Sequence, residues 1–139
     1  MIARDVMTPN PVTATAQASI AEVWDLMREL EIRHVPVVDE GALVGMVSDR
    51  DLARLDVAQV LTVRGAEALG QELATPIVEI MSSDVIFAEP ETDLSEVVGL
   101  LLEHRVGALP VIRPDTRTVV GIISYIDVLR ALQDGLEEQ

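Results

Sequence analysis

No cysteine occurs anywhere in the sequence, which excludes disulfide bonds, a thiolate nucleophile and a thiolate-held zinc ion. Lysine is missing too, so all ten basic side chains other than histidine are arginine, set against twenty-four Asp and Glu for a formal charge of −14. That charge repels a phosphate backbone at long range, which argues against general nucleic-acid binding, and any anion has to be held by a local cluster. Two histidines are too few to build a metal site by themselves. Aromatic residues make up only 2% of the chain, so its core must be aliphatic. No apolar run nears the roughly 18 residues of a membrane span, and the opening "MIARDVMTPN" meets Arg4 with no signal-like apolar segment before it. These absences predict a soluble, cytoplasmic protein whose partners are neither nucleic acid nor membrane. With no metal cluster, nucleophile–base pair or general-acid constellation in view, no enzymatic activity is expected.

What the chain does have is aliphatic bulk and repetition. Hydrophobic residues are 49% of its 139 positions, enough for one compact domain that buries roughly 70% of its unfolded surface. Shifted by 74 positions, residues 6–38 align with 80–112 without a gap, and 8 of the 33 pairs are identical, Met7/Met81, Ala14/Ala88, Glu22/Glu96 and Pro36/Pro110 among them. After a two-residue insertion the shift becomes 76, and residues 44–55 match 120–131 with 5 identities in 12. Matches sustained over this length indicate an internal duplication.

Each copy reads as β-α-β-β-α, an α/β (α+β) fold written twice. The segments "NPVTAT" and "DVIFAE" are extended. Ser19 with Glu22, and Asp93 with Glu96, predict helix caps, followed by Ile20, Val23, Met27 and Leu30 in one copy and Leu94, Val97 and Leu101 in the other at helical spacing. A hairpin comes next, "HVPVVD" and "ALVGMVS" around a turn at Glu40 and Gly41; the second copy replaces that turn with the longer "RPDTRT", which absorbs the insertion. The expected boundaries are a first repeat over 1–58, a partly helical linker over 59–76 and a second repeat over 77–134. Gly65 and Gly70 should interrupt the helical stretches of the connector. Residues 135–139 form an acidic tail, with Gly135 expected to end the last helix. Half the chain buries little alone, so the two repeats are expected to pack about a pseudo-twofold axis.

The most pointed repetition is "GMVSDRD", Gly45 to Asp51, which returns as "GIISYID", Gly121 to Asp127. A Ser that ends a strand and opens a helix can serve as its N-cap, with Asp three residues on closing a capping box. The same terminus, with its free N–H groups and the positive end of the helix dipole, also suits a phosphate. A glycine inside the preceding strand often marks a close approach of backbone or ligand. Asp51 would repel a phosphate but accepts hydrogen bonds from ribose hydroxyls, so a nucleotide is the ligand that uses both side chains.

The duplicated set "DVMTPNPVTAT", "IRHVPVVD" and "GMVSDRD" with "EIMSSDVIFAE", "VGALPVI" and "GIISYID" resembles a pair of cystathionine β-synthase (CBS) domains, a Bateman module, over residues 3–132. The resemblance implies two clefts between the repeats that often bind adenine nucleotides. It implies that Asp51 and Asp127 take ribose hydroxyls and that Ser48 and Ser124 lie near phosphates, with Val12, Thr13 and Val35 lining the first adenine pocket. It also implies a homodimer, for which Leu52, Leu55, Val128 and Leu132 are candidate surfaces. An unidentified effector protein is the expected recipient of the signal.

The two clefts are not expected to be equal. Arg33 and His34 precede the first "PVV", where the second copy has Gly107 and Ala108, and Arg50 is replaced by Ile126. Phe87 stands where the first copy has Thr13, and either it or Tyr125 could stack on a base; Phe87 could instead fill the second cleft. The regulatory ligand expected is AMP, ADP or ATP, with no required cofactor. Two alternatives stand beside it: a ligand-free structural dimerisation module, and a sensor of another adenosine compound such as S-adenosylmethionine or NAD.

Overall fold

The computed structural model describes residues 1–137. The first copy contributes α1 (Ala3–Val6), β1 (Thr8–Pro9), β2 (Ala14–Thr15), α2 (Ile20–Leu30), β3 (His34–Asp39), β4 (Ala42–Ser48) and α3 (Asp49–Ala53). The connector forms α4 (Val57–Arg64) and α5 (Ala66–Leu73), then a 3-10 turn at Ile77–Glu79. The second copy supplies α6 (Leu94–His104), β5 (Ala108–Ile112), β6 (Val119–Ser124) and α7 (Tyr125–Glu137). Two three-stranded sheets result, ordered β2-β3-β4 and β1-β6-β5. No helix among the described residues is long and apolar enough to cross a membrane.

The sequence repeats and the compact units of the fold differ by an exchange of ends. One unit comprises Val12–Asp39 and Val44–Asp84; the other comprises Met1–Pro11, Glu40–Leu43 and the chain from Val85 onward. The N-terminal segment joins the later sequence through backbone pairing: Thr8 lies opposite Ile122 and Pro9 opposite Gly121 in an antiparallel ladder, and Ala3 N–H donates to the Thr92 carbonyl at 2.7 Å. Residues after the connector do the same for the earlier sequence. Met46 and Ser82 exchange two backbone hydrogen bonds of 2.9 Å, and Ile77 N–H donates to the Ala18 carbonyl at 2.7 Å. Each compact unit is thus completed by a short segment from the other copy.

Both cores are aliphatic, as a sequence so poor in aromatics requires. One gathers Ile20, Val23, Met27, Val35, Val37, Val47 and Leu52 with Ile77. The other gathers Ala3, Ala88, Val97, Leu101, Leu109, Val111 and Ile123. The β3–β4 turn reads as expected, with Glu40 at φ 50° and Gly41 at φ 84°, the left-handed pair that a tight hairpin uses.

Several local expectations are corrected. Ser19 and Glu22 form the full capping box at α2, but the Asp93 side chain makes no cap bond at α6. There the backbone of Asp93 bridges Ile2, and Leu94 N–H donates to the Met1 carbonyl, so the exchanged N-terminus takes over the cap's work. Gly65 does separate α4 from α5, at φ 94°, whereas Gly70 lies within α5. Gly135 does not end the last helix, since α7 continues to Glu137. The tail positions 138 and 139 lie outside the described residues.

Candidate functional site

The two copies of the repeated heptapeptide form the same structure. Ser48 Oγ accepts from Asp51 N–H at 3.2 Å while Asp51 Oδ2 accepts from Ser48 N–H at 2.8 Å. In the second copy the corresponding distances are 3.2 Å and 2.9 Å, and Ser124 Oγ also donates to Asp127 Oδ2 at 3.1 Å. Both are complete capping boxes. The first residue of each following helix is tied back to the preceding strand entry, Asp49 N–H to the Arg33 carbonyl at 2.9 Å and Tyr125 N–H to the Gly107 carbonyl at 3.0 Å. Each Asp uses one oxygen on its cap. A carboxylate offers about four lone-pair sites, so acceptor capacity remains for hydroxyl groups.

The glycines that open the motifs have a different partner from the one their sequence context suggested. A Cβ at Gly45 would overlap the Met81 sulfur, and one at Gly121 would overlap the Met7 sulfur. The close approach is therefore made by a methionine from the exchanged end segment. Met7 and Met81 are themselves a repeated pair, so one reciprocal contact accounts for four repeated positions.

The remaining candidates divide by copy. Val12, Thr13, Arg33, His34, Val35, Ser48, Arg50 and Asp51 belong to one unit; Phe87, Ser124, Tyr125 and Asp127 belong to the other. Val12 and Thr13 are exposed just before β2, whose Ala14 pairs in parallel with Val37 of β3. Val35 is wholly buried in the aliphatic core, so its side chain serves packing. Of the proposed dimer-surface residues, Leu52 is likewise core at 3% exposure, while Leu132 is 58% exposed; Leu55 and Val128 are half-buried against the cores.

Electrostatics separates the copies. His34 is held below its ordinary pKa of 6.5, first by burial and then by Arg33 and Arg50, against the opposing pull of Asp49 and Asp51. One histidine thus feels two cations and two carboxylates grouped at the entry to α3. At the entry to α7 the equivalent positions are Gly107, Ala108, Tyr125 and Ile126, leaving Asp127 as the lone charge. A groove of about 460 Å³ lies beside the first site, between α2 and α3, lined by Trp24, Met27, Ile32 and Leu52 together with Arg33 and Asp49. Of the nucleotide-site candidates Arg33 lines it, as does Leu52 of the dimer-surface candidates.

A residue that sequence reasoning missed is Arg117. Its guanidinium lies 5.5 Å from the centre of the Phe87 ring, and its Nε donates to the Leu43 carbonyl at 3.3 Å. The available signal was a basic residue inside "RPDTRT", the very turn that carries the insertion.

The family model for the CBS domain matches residues 3–58 and again 77–134. This chain belongs to the CBS domain family. The CBS domain-containing protein YhcV of Bacillus subtilis (strain 168) is 30% identical over 125 residues, covering 90% of this chain and 81% of that protein. The CBS domain pair of protein MJ0100, solved in complex with 5′-methylthioadenosine and S-adenosyl-L-methionine, superposes with a TM-score of 0.78 at 28% identity, covering 97% of this chain and 98% of that one. CBSX2 in complex with AMP gives a TM-score of 0.79 at 27% identity, with 96% of both chains covered. CBS pairs similar to this one therefore hold adenosine compounds.

Proposed function

We propose that this CBS pair is a non-catalytic regulatory module that binds an adenine nucleotide, AMP, ADP or ATP, at the Ser48/Asp51 motif. It works as a homodimer and signals to an effector protein. The observation that carries this reading is the bond from Asp49 N–H to the Arg33 carbonyl at 2.9 Å, which brings the backbone of Arg33 to the capped entry of α3, where Arg50 and the Asp51 carboxylate stand with Asp49; it sets phosphate-neutralising cations near a hydroxyl-accepting carboxylate. Solved relatives with AMP and with S-adenosylmethionine support the adenosine part of the ligand. A ligand moves the protein between two arrangements only by its difference in affinity for them, so the regulatory output is a shift of population.

The second motif, with its single carboxylate and the neutral Tyr125 and Ile126, suits an adenosine compound that carries little negative charge, such as S-adenosylmethionine. The competing reading is a ligand-free dimerisation module, favoured by the completeness of both capping boxes. Calorimetric titration of protein free of carried-over ligand, with AMP, ADP, ATP and S-adenosylmethionine, separates them. Saturable nucleotide binding that Asp51→Ala weakens by about tenfold or more and Asp127→Ala leaves in place supports the proposal. Silence with every ligand at several temperatures leaves the capping role alone.

A further inference from the structure

Two departures of the second copy from the first meet each other in space. Phe87 replaces Thr13, and the turn "RPDTRT" is two residues longer than its counterpart around Glu40 and Gly41. That longer turn carries Arg117, whose guanidinium lies over the Phe87 ring. The first copy has neither partner.

The arginine is held there from both sides. Its turn pairs with the start of β4, Leu43 N–H donating to the Arg117 carbonyl at 3.0 Å and Ala42 bridging Thr118. The Arg117 Nε returns a bond to the buried Leu43 carbonyl. Phe87 is equally fixed, because the next residue, Ala88, donates to the Pro110 carbonyl and accepts from Ile112 N–H. The same β5 places Ala108 opposite Ser124 of the second motif. A cation over an aromatic face takes the side on which a base would stack.

We infer that Arg117 is an internal occupant of the second-copy site: it covers the Phe87 face that a base would otherwise use, and so lowers that copy's affinity for adenosine compounds. The inference rests on the adenosine-binding reading above and adds to it the residue that makes the copies unequal. It also assigns the insertion a role in specificity.

The test is a titration of the full-length chain with adenosine, which carries no phosphate and so isolates base and ribose. Asp51→Ala silences the first motif, and Arg117→Met is added to it, keeping an aliphatic stem without the cation. Affinity should rise about tenfold, equivalent to about 1.4 kcal/mol, and the gain should vanish when Phe87→Leu or Asp127→Ala is added. Thermal melts confirm that each variant folds; in parallel, Arg117→Met alone, with the first motif intact, should show a second binding event. If adenosine binds through Asp51 in the parent chain but Arg117→Met leaves the second copy unchanged or weaker, the internal occupant is overturned and the functional reading stands. If no variant, nor the parent, binds adenosine, the internal occupant is overturned, and the functional reading falls with it only if AMP, ADP, ATP and S-adenosylmethionine are silent too.

Discussion

The first and second motif copies are a controlled comparison within one chain. Their cap geometries agree to 0.1 Å, with Ser N–H to Asp bonds of 2.8 Å and 2.9 Å and Asp N–H to Ser bonds of 3.2 Å in both. Around that shared frame nearly everything differs. The first opens a five-residue helix beside Arg33, His34 and Arg50; the second opens a thirteen-residue helix beside neutral residues. Backbone geometry was retained in the duplication while the charges around it diverged, so the repeated motif is evidence of a shared fold and not of shared electrostatics.

The largest effects should come from breaking what the copies share. Gly121→Ala drives a methyl group against Met7 with Sδ, Cγ and Cβ nearest it, whereas at Gly45 the nearest atoms are Met81 Sδ, Cε and Cγ, closer to the free end of the side chain. Overpacking of this kind costs about 1–3 kcal/mol. Urea denaturation should place Gly121→Ala near the top of that range and Gly45→Ala below it, and equal costs would show that the two contacts yield alike. Next in size, Asp51→Ala should weaken nucleotide binding by roughly 1.5–3 kcal/mol through lost acceptance from ribose hydroxyls, while Asp127→Ala changes it far less. Calorimetry that finds the two variants equal removes the asymmetry.

Smaller still, Arg33→Ala or Arg50→Ala should weaken ATP binding by about 1 kcal/mol while sparing adenosine, and the loss should shrink as salt is raised. A salt-independent loss would point to packing instead of charge. The smallest effect concerns His34, whose folded pKa is held below its ordinary 6.5 by burial and the neighbouring arginines. The unfolded chain takes up a proton near pH 6.5 that the folded chain refuses, so this contribution to stability is intact above that pH and is lost as pH falls toward the folded value. Melting temperatures should decline across that window in the parent, and His34→Asn should flatten the decline.

Much of the fold was legible because its determinants are local. The Ser19–Glu22 box, the Glu40–Gly41 turn and the helical spacing of Ile20, Val23 and Met27 act over a few residues, and the structure has each of them. Misreadings occurred where a distant segment supplied the missing partner. Asp93 reads as a cap, yet the N-terminal backbone bonds that helix start. Leu52 reads as a surface residue of a short helix, yet it is buried in the core. The residue types of the repeated motif, and its capping geometry, were legible; the contact between Phe87 and Arg117 was not, because thirty positions separate them in sequence.

By itself, the sequence determined the duplication, the α-β-β-α order common to both copies, the aliphatic core and the uneven distribution of arginine between the copies, since periodicity, composition and capping are properties of short windows; "DVIFAE" reads as a strand but contributes only the isolated bridge of Ala88 to Val111. Tertiary structure alone decided that the end segments are exchanged, that Met7 and Met81 are the reason for Gly121 and Gly45, and that Arg117 lies on Phe87. Those outcomes depend on which distant groups fill the space beside a residue, and close packing settles that only once the chain has folded.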